Sequence, residues 1–284
     1  MAAIELVPVS GTIGAEVLGV SPADDIDEAT VAALRAALLE HLVLIFRPVT
    51  LTPDQQVGFA RRFGALHYPP LPTKFGTRPE INVLDQTSGK GDADRWHNDN
   101  TYTAEPPMGS VLRVVTVPGV GGDTGFASMY AAYDALSPSM RHLVDGLWAE
   151  HDITRSLRRA IERGHTDLDL QATQQRLPPV VHPVAIIHPE TGRRALFVNP
   201  QSTTSILNLS EGESQMLLDF LYEHVKSPEY QCRVHWDEHT VVLLDNRCVQ
   251  HCAVADFHER RVLHRVTIKG QALGPAMDPA WTGW

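Results

Sequence analysis

The sequence predicts a mainly β fold of the α+β class: a barrel or sandwich of short strands with a few helices packed outside it. Three observations carry this. From about residue 80 onward, short apolar runs rich in β-branched residues recur at strand length. Helical periodicity is confined to a handful of segments. No internal repeat and no linker-like composition divides the 284 residues, so they read as a single domain.

Taken in order, residues 29–41 place Val31, Leu34, Leu38 and Leu39 on one helical face. Leu42 to Phe46 is apolar, β-branched and aromatic, is stopped by Pro48, and reads as a buried strand. Thr52 and Pro53 open a helix that runs through Phe63, with Thr as N-cap and Pro in the first turn. Strands are expected at 81–84, 110–117, 180–187, 195–198, 232–236, 241–244 and 262–268. Between two of these, Pro189-Glu190-Thr191-Gly192 is hairpin-turn chemistry. Helices are expected at about 138–149 and 210–225, the second opened by a capping box of Ser210 and Glu213. Residues 154–178 are polar, charged and Gln-rich without a strong period, and read as an excursion or lid.

The formal net charge is -10, which argues against a nucleic-acid partner. Inside so acidic a chain, the local cluster Arg260, Arg261 and Arg265 suits a small anion. Three cysteines do not make a disulfide framework and point to a reducing cytoplasm. The N-terminus lacks the charge and apolar pattern of a signal peptide, and no apolar run approaches a membrane span, so no membrane partner is expected.

Fourteen histidines make His-x-Asp pairs common by chance, and three occur: His97/Asp99, His165/Asp167 and His235/Asp237. The second lies in the polar excursion and the third in a turn-like run. The first is different: Trp96 precedes it, Thr-Tyr-Thr follows, and Pro106-Pro107 closes the segment before the next strand. A facial iron site needs two imidazoles and one carboxylate on one side, with the other side open. His251, in a distant segment, is the best third ligand. An oxoacid co-substrate would need a guanidinium for its far carboxylate, and alternation puts Arg261 and Arg265 on one face of the last strand. Two rivals use the same residues: a zinc-dependent hydrolase with an activated water, and a non-catalytic small-anion-binding jelly roll. Cys248 and Cys252 flank His251 but read as core residues, and Gly119–Gly125 lacks the strand–loop–helix setting of a phosphate loop. His67 and Tyr68 are candidates to line a substrate pocket.

Four segments, WHNDNTYTAEPP, VPGVGGDTGFASMYAAYDALSP, VHPVAIIHPETGRRALFVN and LLDNRCVQHCAVADFHERRVLHRVTI, together resemble the taurine/2,4-D dioxygenase (TauD/TfdA) family of Fe(II)/2-oxoglutarate enzymes. The likeness runs from about residue 11 to about 270. It implies a double-stranded β-helix (a cupin-like jelly roll), with His97, Asp99 and His251 on iron. It also implies that Thr124 and Arg261 hold 2-oxoglutarate, and that Arg265 receives the acidic group of the substrate beside Asn100 and Tyr102. The implied reaction consumes O2 and 2-oxoglutarate, hydroxylates a small carboxylate, sulfonate or sulfate with C–O or C–S cleavage where the product is unstable, and leaves succinate and CO2. A homodimer or tetramer is also implied. Two departures stand out. Leu244 replaces the Trp of the family's Trp-Asp-Asn-Arg, and Pro69 and Pro72 occupy places where taurine-cleaving members carry His and Tyr, so taurine itself is not the expected substrate.

Overall fold

The computed structural model describes residues 4–68, 70, 78–86 and 94–275. The chain begins with strands β1 (Glu5–Pro8) and β2 (Ala15–Leu18), helix α1 (Glu28–His41), β3 (Val43–Phe46), α2 (Pro53–Arg61) and β4 (Ile81–Gln86). There follow β5 (Gly109–Thr116), β6 (Thr124–Ser128), α3 (Met129–Asp134), α4 (Pro138–Asp145), β7 (Trp148–His151), α5 (Thr154–Glu162) and α6 (Leu170–Arg176). Next come β8 (Val180–Pro183), β9 (Ala185–Ile187), β10 (Arg194–Leu196), β11 (Thr203–Ile206) and α7 (Glu211–His224). The last strands are β12 (Gln231–Val234), β13 (Val241–Asp245), β14 (Val249–Ala253), β15 (Arg261–Ile268) and β16 (Gly274–Pro275).

Helix starts follow their local chemistry. Thr52 and Gln55 form a reciprocal capping box at α2, as Ser210 and Glu213 do at α7. Asp27 accepts from Thr30 at the start of α1.

Seven strands form the largest sheet, in the order β1-β2-β3-β13-β5-β15-β4. Three smaller sheets run β12-β6-β14, β11-β7-β8 and β10-β9-β16. Alternation along the large sheet sends its side chains into two separate cores. One face contributes Val43, Ile45, Leu112, Val114, Val242, Leu244 and Leu263, which meet Phe126, Ile186 and Val249 of the smaller sheets. The other face contributes Leu44, Phe46, Val111, Leu243, Val266 and Ile268, which pack on Leu34, Leu38, Val57 and Phe59 of α1 and α2. This is the double-stranded β-helix, with helices covering one side.

Two expectations need correction, and a third segment gains detail. The run 180–187 is two strands belonging to different sheets, parted at Val184, whose N–H turns aside to Leu147. The helix expected over 138–149 ends at Asp145, and Trp148–His151 is a strand between β8 and β11. Residues 154–178 hold two short helices, whose period the arginines mask: Leu157 is the buried residue of α5 and Thr173 that of α6. All three cysteines are free, and Cys248 is fully buried. No helix of the described residues is long and apolar enough to cross a membrane.

Candidate metal and co-substrate site

His97 and His251 meet through the backbone. His97 N–H donates to His251 O at 3.0 Å, and His251 N–H returns to His97 O at 2.9 Å, an isolated antiparallel bridge. His251 lies on β14 opposite Phe126 of β6. Asp99, two residues on from His97, projects to the same side. Its Oδ1 is 3.8 Å from His97 Nε2 and 3.9 Å from His251 Nε2, and all three residues are buried.

The surroundings fix these side chains. His97 Nδ1–H donates to Arg95 O at 2.7 Å, which leaves Nε2 with its lone pair facing the site. Asn246, wholly buried, brackets Asp99 from behind. Its Oδ1 accepts from Asp99 N–H at 2.7 Å, while its Nδ2 donates to Asp99 O at 3.0 Å and Pro107 O at 3.1 Å. Asn98 Nδ2 donates to Asn246 O at 2.8 Å and Val249 O at 2.9 Å. The two asparagines thus tie the segment bearing His97 and Asp99 to the turn that leads into His251.

Burial opposes ionisation of Asp99, but Arg265 and the two imidazoles overcome it and hold its carboxyl down at about 2. Burial, then the adjacent His97, lowers His251 to about 3, and burial also lowers His97. At neutral pH the set is therefore one carboxylate and two neutral imidazoles, the protonation that a divalent ion requires. Asp99 Oδ2 is buried without a partner, and Arg265 Nη1 bonds Asp99 Oδ1 while Arg265 Nε is unpaired. An orphaned carboxylate oxygen beside two neutral imidazoles, whose Nε2 atoms lie 3.8 and 3.9 Å from the other oxygen of the same carboxylate, fits a cation.

The described residues hold one other group with metal-ligand chemistry: His188, Asp245 and Cys248. There Arg247 grips both oxygens of Asp245, at 2.9 and 2.6 Å, and also bonds Glu190 at 2.6 Å, while His188 Nε2 bonds Asp245 at 3.1 Å. The carboxylate is already saturated, so that group is a buried ion-pair network that supports the β13–β14 turn.

Arg261, at the start of β15, is buried, with neutral partners only. It donates to Gly122 O at 2.7 Å, Thr124 Oγ1 at 3.0 Å and Gln86 Oε1 at 3.2 Å. Thr124 Oγ1 also accepts from Trp236 Nε1 at 2.9 Å. Burial lowers Arg261 to about 10, so it keeps its charge at neutral pH. A buried guanidinium that bonds no carboxylate is costly unless an anion completes it.

Around Asp99, Tyr102 O–H donates to Asn100 Oδ1 at 2.9 Å, and Asn100 Nδ2 lies 3.5 Å from His67 Nε2. Burial, then Arg265, lowers His67, which keeps it neutral, and burial raises Tyr102. Tyr68 is 54% exposed and is not brought into this array. Pro69 and Pro72 lie outside the described residues. His165 is exposed, and His235 is turned to Asp123 at 2.8 Å, so neither of the other His-x-Asp pairs joins the site. Residues with no role assigned from sequence are Asn98, Asn246, Gln86 and Trp236. Only Asn246 carried a signal, its place in the Asp-Asn-Arg motif.

The family model described as taurine catabolism dioxygenase TauD, TfdA family, matches residues 5–267. The chain belongs to this family. Among its relatives within and around the TauD/TfdA group, an alpha-ketoglutarate-dependent sulfate ester dioxygenase of Pseudomonas putida is 37% identical over 94% of this chain and 90% of that protein. An (S)-phenoxypropionate/alpha-ketoglutarate-dioxygenase of Sphingobium herbicidovorans is 34% identical over 98% of each. The crystal structure of a taurine dioxygenase from Burkholderia xenovorans superposes with a TM-score of 0.82 at 33% identity, covering 96% of this chain and 93% of that one.

Proposed function

We propose that this TauD/TfdA-family chain is an iron(II)- and 2-oxoglutarate-dependent dioxygenase that hydroxylates a small organic anion, with a sulfate, sulfonate or carboxylate as its charged group. The observation that carries this is the pairing of a His97–Asp99–His251 donor set with the buried Arg261–Thr124–Trp236 cluster, a cationic anchor that bonds no carboxylate. A hydrolase built on zinc would have no use for that anchor. The relatives named above add support through the sulfate ester and phenoxypropionate in their names.

In this reading His97, Asp99 and His251 would hold iron(II). The bound metal supplies the oxidation: 2-oxoglutarate and O2 give succinate and CO2 while one oxygen atom enters a substrate C–H bond. The chain's own residues bind and orient. Arg261 and Thr124 take the far carboxylate of 2-oxoglutarate through charge-assisted hydrogen bonds. Arg265 takes the acidic group of the substrate, giving up part of its contact with Asp99, and its unpaired Nε–H supplies a further donor. Asn100, Tyr102 and His67 form a polar wall beside it. Where the hydroxylated carbon also bears the sulfate, sulfonate or aryloxy group, the product fragments at the C–O or C–S bond. The whole chain forms one dioxygenase domain, with α5 and α6 in a lid-like excursion over 154–178, and works in the cytoplasm as a dimer or tetramer.

The experiment is anaerobic addition of Fe(II) and 2-oxoglutarate, which produces a weak visible charge-transfer band. A panel of alkyl sulfates, alkyl sulfonates and phenoxyalkanoates is then scored for perturbation of the band and, with O2, for succinate. Turnover that does not depend on 2-oxoglutarate would sink the proposal.

A further inference from the structure

Away from the metal site, Arg95, Arg155, Arg158, Arg159 and Arg163 line a surface hollow of about 350 Å³, with Glu162 the one acidic residue on its lining. Four of the five sit on or just after α5, at spacings that put them on one helical face, and Arg95 meets them from the segment leading to His97. Asp94 beneath them is already engaged, by Arg159 at 2.5 Å and Arg163 at 3.2 Å. Arg155 donates to a backbone carbonyl, Thr203 O, at 2.6 Å. The guanidiniums of Arg95 and Arg158 bond nothing among the described residues.

This arrangement conflicts with its own stability. Like charges on one face weaken a helix, and α5 has a single buried residue and no side-chain N-cap to offset them. Burial, then the charges of Arg159 and Arg155, pull Arg95 below the usual guanidinium value. Isolated arginines on a surface are merely solvated, but this chain carries a net charge of -10 and still gathers five of them around one concavity. Local conflict of this kind marks a functional site more often than a structural one. Guanidinium forks arranged around a hollow are the recognition chemistry of tetrahedral oxyanions.

We propose that the hollow is a second anion site, which takes one sulfate- or phosphate-type oxyanion on Arg95, Arg155 and Arg158. Its lining contains none of the residues assigned to the metal or the co-substrate. The ion neutralises the repulsion and clamps α5 to the segment 94–97. It also touches the metal site indirectly, because the Arg95 carbonyl holds His97 Nδ1. Coupling through that contact is reciprocal, so occupancy of the hollow and of the metal site favour one another.

The test uses the full chain with Mn(II) and 2-oxoglutarate bound, titrated with sodium sulfate or sodium phosphate at an ionic strength held constant with chloride. Calorimetry is expected to show saturable binding of one equivalent, with a rise in melting temperature. The Arg95→Ala/Arg158→Ala double variant is expected to bind at least tenfold more weakly, while its affinity for 2-oxoglutarate stays at the wild-type value and its melting temperature without oxyanion, freed of part of the repulsion, is no lower than wild type. A parallel titration with hexyl sulfate separates the sources. Equal affinity, lost in the same variant, assigns the hollow to the head of an organic ester, and binding of the inorganic ion alone assigns it to a free ion; both support the site. The proposal is overturned by non-saturable binding, by binding unchanged in the double variant, or by binding lost in Arg265→Ala instead.

Discussion

Replacing Asn246 by Ala tests how the donor set is held. The side chain makes three hydrogen bonds in a place without solvent, two of them to the backbone of Asp99. Alanine leaves the Asp99 N–H, a buried donor, unpaired at a cost of about 1–3 kcal/mol. The two carbonyls lose partners as well, and the amide leaves a small cavity, so a total loss of about 3 kcal/mol in folding stability is expected. The more telling effect is on the metal. Groups that orient a ligand are worth roughly 10–100-fold in metal affinity. Mn(II) affinity, measured by competition with a chelator on protein that is still folded, is therefore expected to fall by that factor. The ratio of succinate formed to substrate hydroxylated is expected to rise, because a tilted Asp99 misaligns the reacting groups. Asn98→Ala, which removes the bonds from its amide to Asn246 O and Val249 O, is expected to act in the same direction and more weakly. Metal affinity within about twofold of wild type, alongside the full loss of stability, would refute the idea that the clasp sets ligand geometry.

Arg261→Ala removes a charge-assisted contact worth about 1.5–3 kcal/mol, so the KM for 2-oxoglutarate is expected to rise roughly 10–150-fold, and Arg261→Lys is expected not to restore it. Steady-state kinetics with 2-oxoglutarate varied check both. Gly125→Ala places a methyl 2.9 Å from Trp96 Cη2, so Trp96 must move, and a loss of about 1–3 kcal/mol by urea unfolding is expected, with weaker metal binding because the next residue is His97. His151 and His182 are held neutral by burial, well below and below their ordinary value respectively. Their contribution is complete above pH 6.5; as pH falls below it, the unfolded chain takes protons that the folded chain refuses, and stability drops by about 1.4 kcal/mol per pH unit for each such group. In metal-free protein His97 and His251 add to that slope. Melting between pH 7 and pH 5 measures it, and His182→Gln is expected to make it shallower.

The large sheet and its helices were legible because their residues obey simple periods. The alternation along 262–268 divides two apolar cores, and Thr52 and Ser210 announce α2 and α7 through their own side chains. The strands that escaped notice, β6 and β14 among them, carry Thr124, Gln250 and His251 where an ordinary strand would carry apolar residues. Those polar groups are satisfied by tertiary partners that no local window contains. Gln250, for example, donates to Val198 O at 2.7 Å. His97 and Asp99 stood out by their neighbours, His251 and Arg261 by the needs of a facial iron site and its oxoacid, and Thr124 by the family motif. Asn246 was visible as a letter of the Asp-Asn-Arg motif, but its role was not, until the Asp99 N–H and C=O that it brackets, 147 positions away, were in view.

The mutual backbone bonds between residues 97 and 251 also bear on how the protein comes into being. Closing so long a loop is slow and entropically unfavourable. A chain emerging from the ribosome therefore displays no complete docking place for ferrous iron until its last strands have been made. Metal supplied at the start of refolding should leave the early kinetic phases untouched and accelerate or lock only the final one. Partly synthesised or C-terminally truncated chains should escape loading with a redox-active ion altogether.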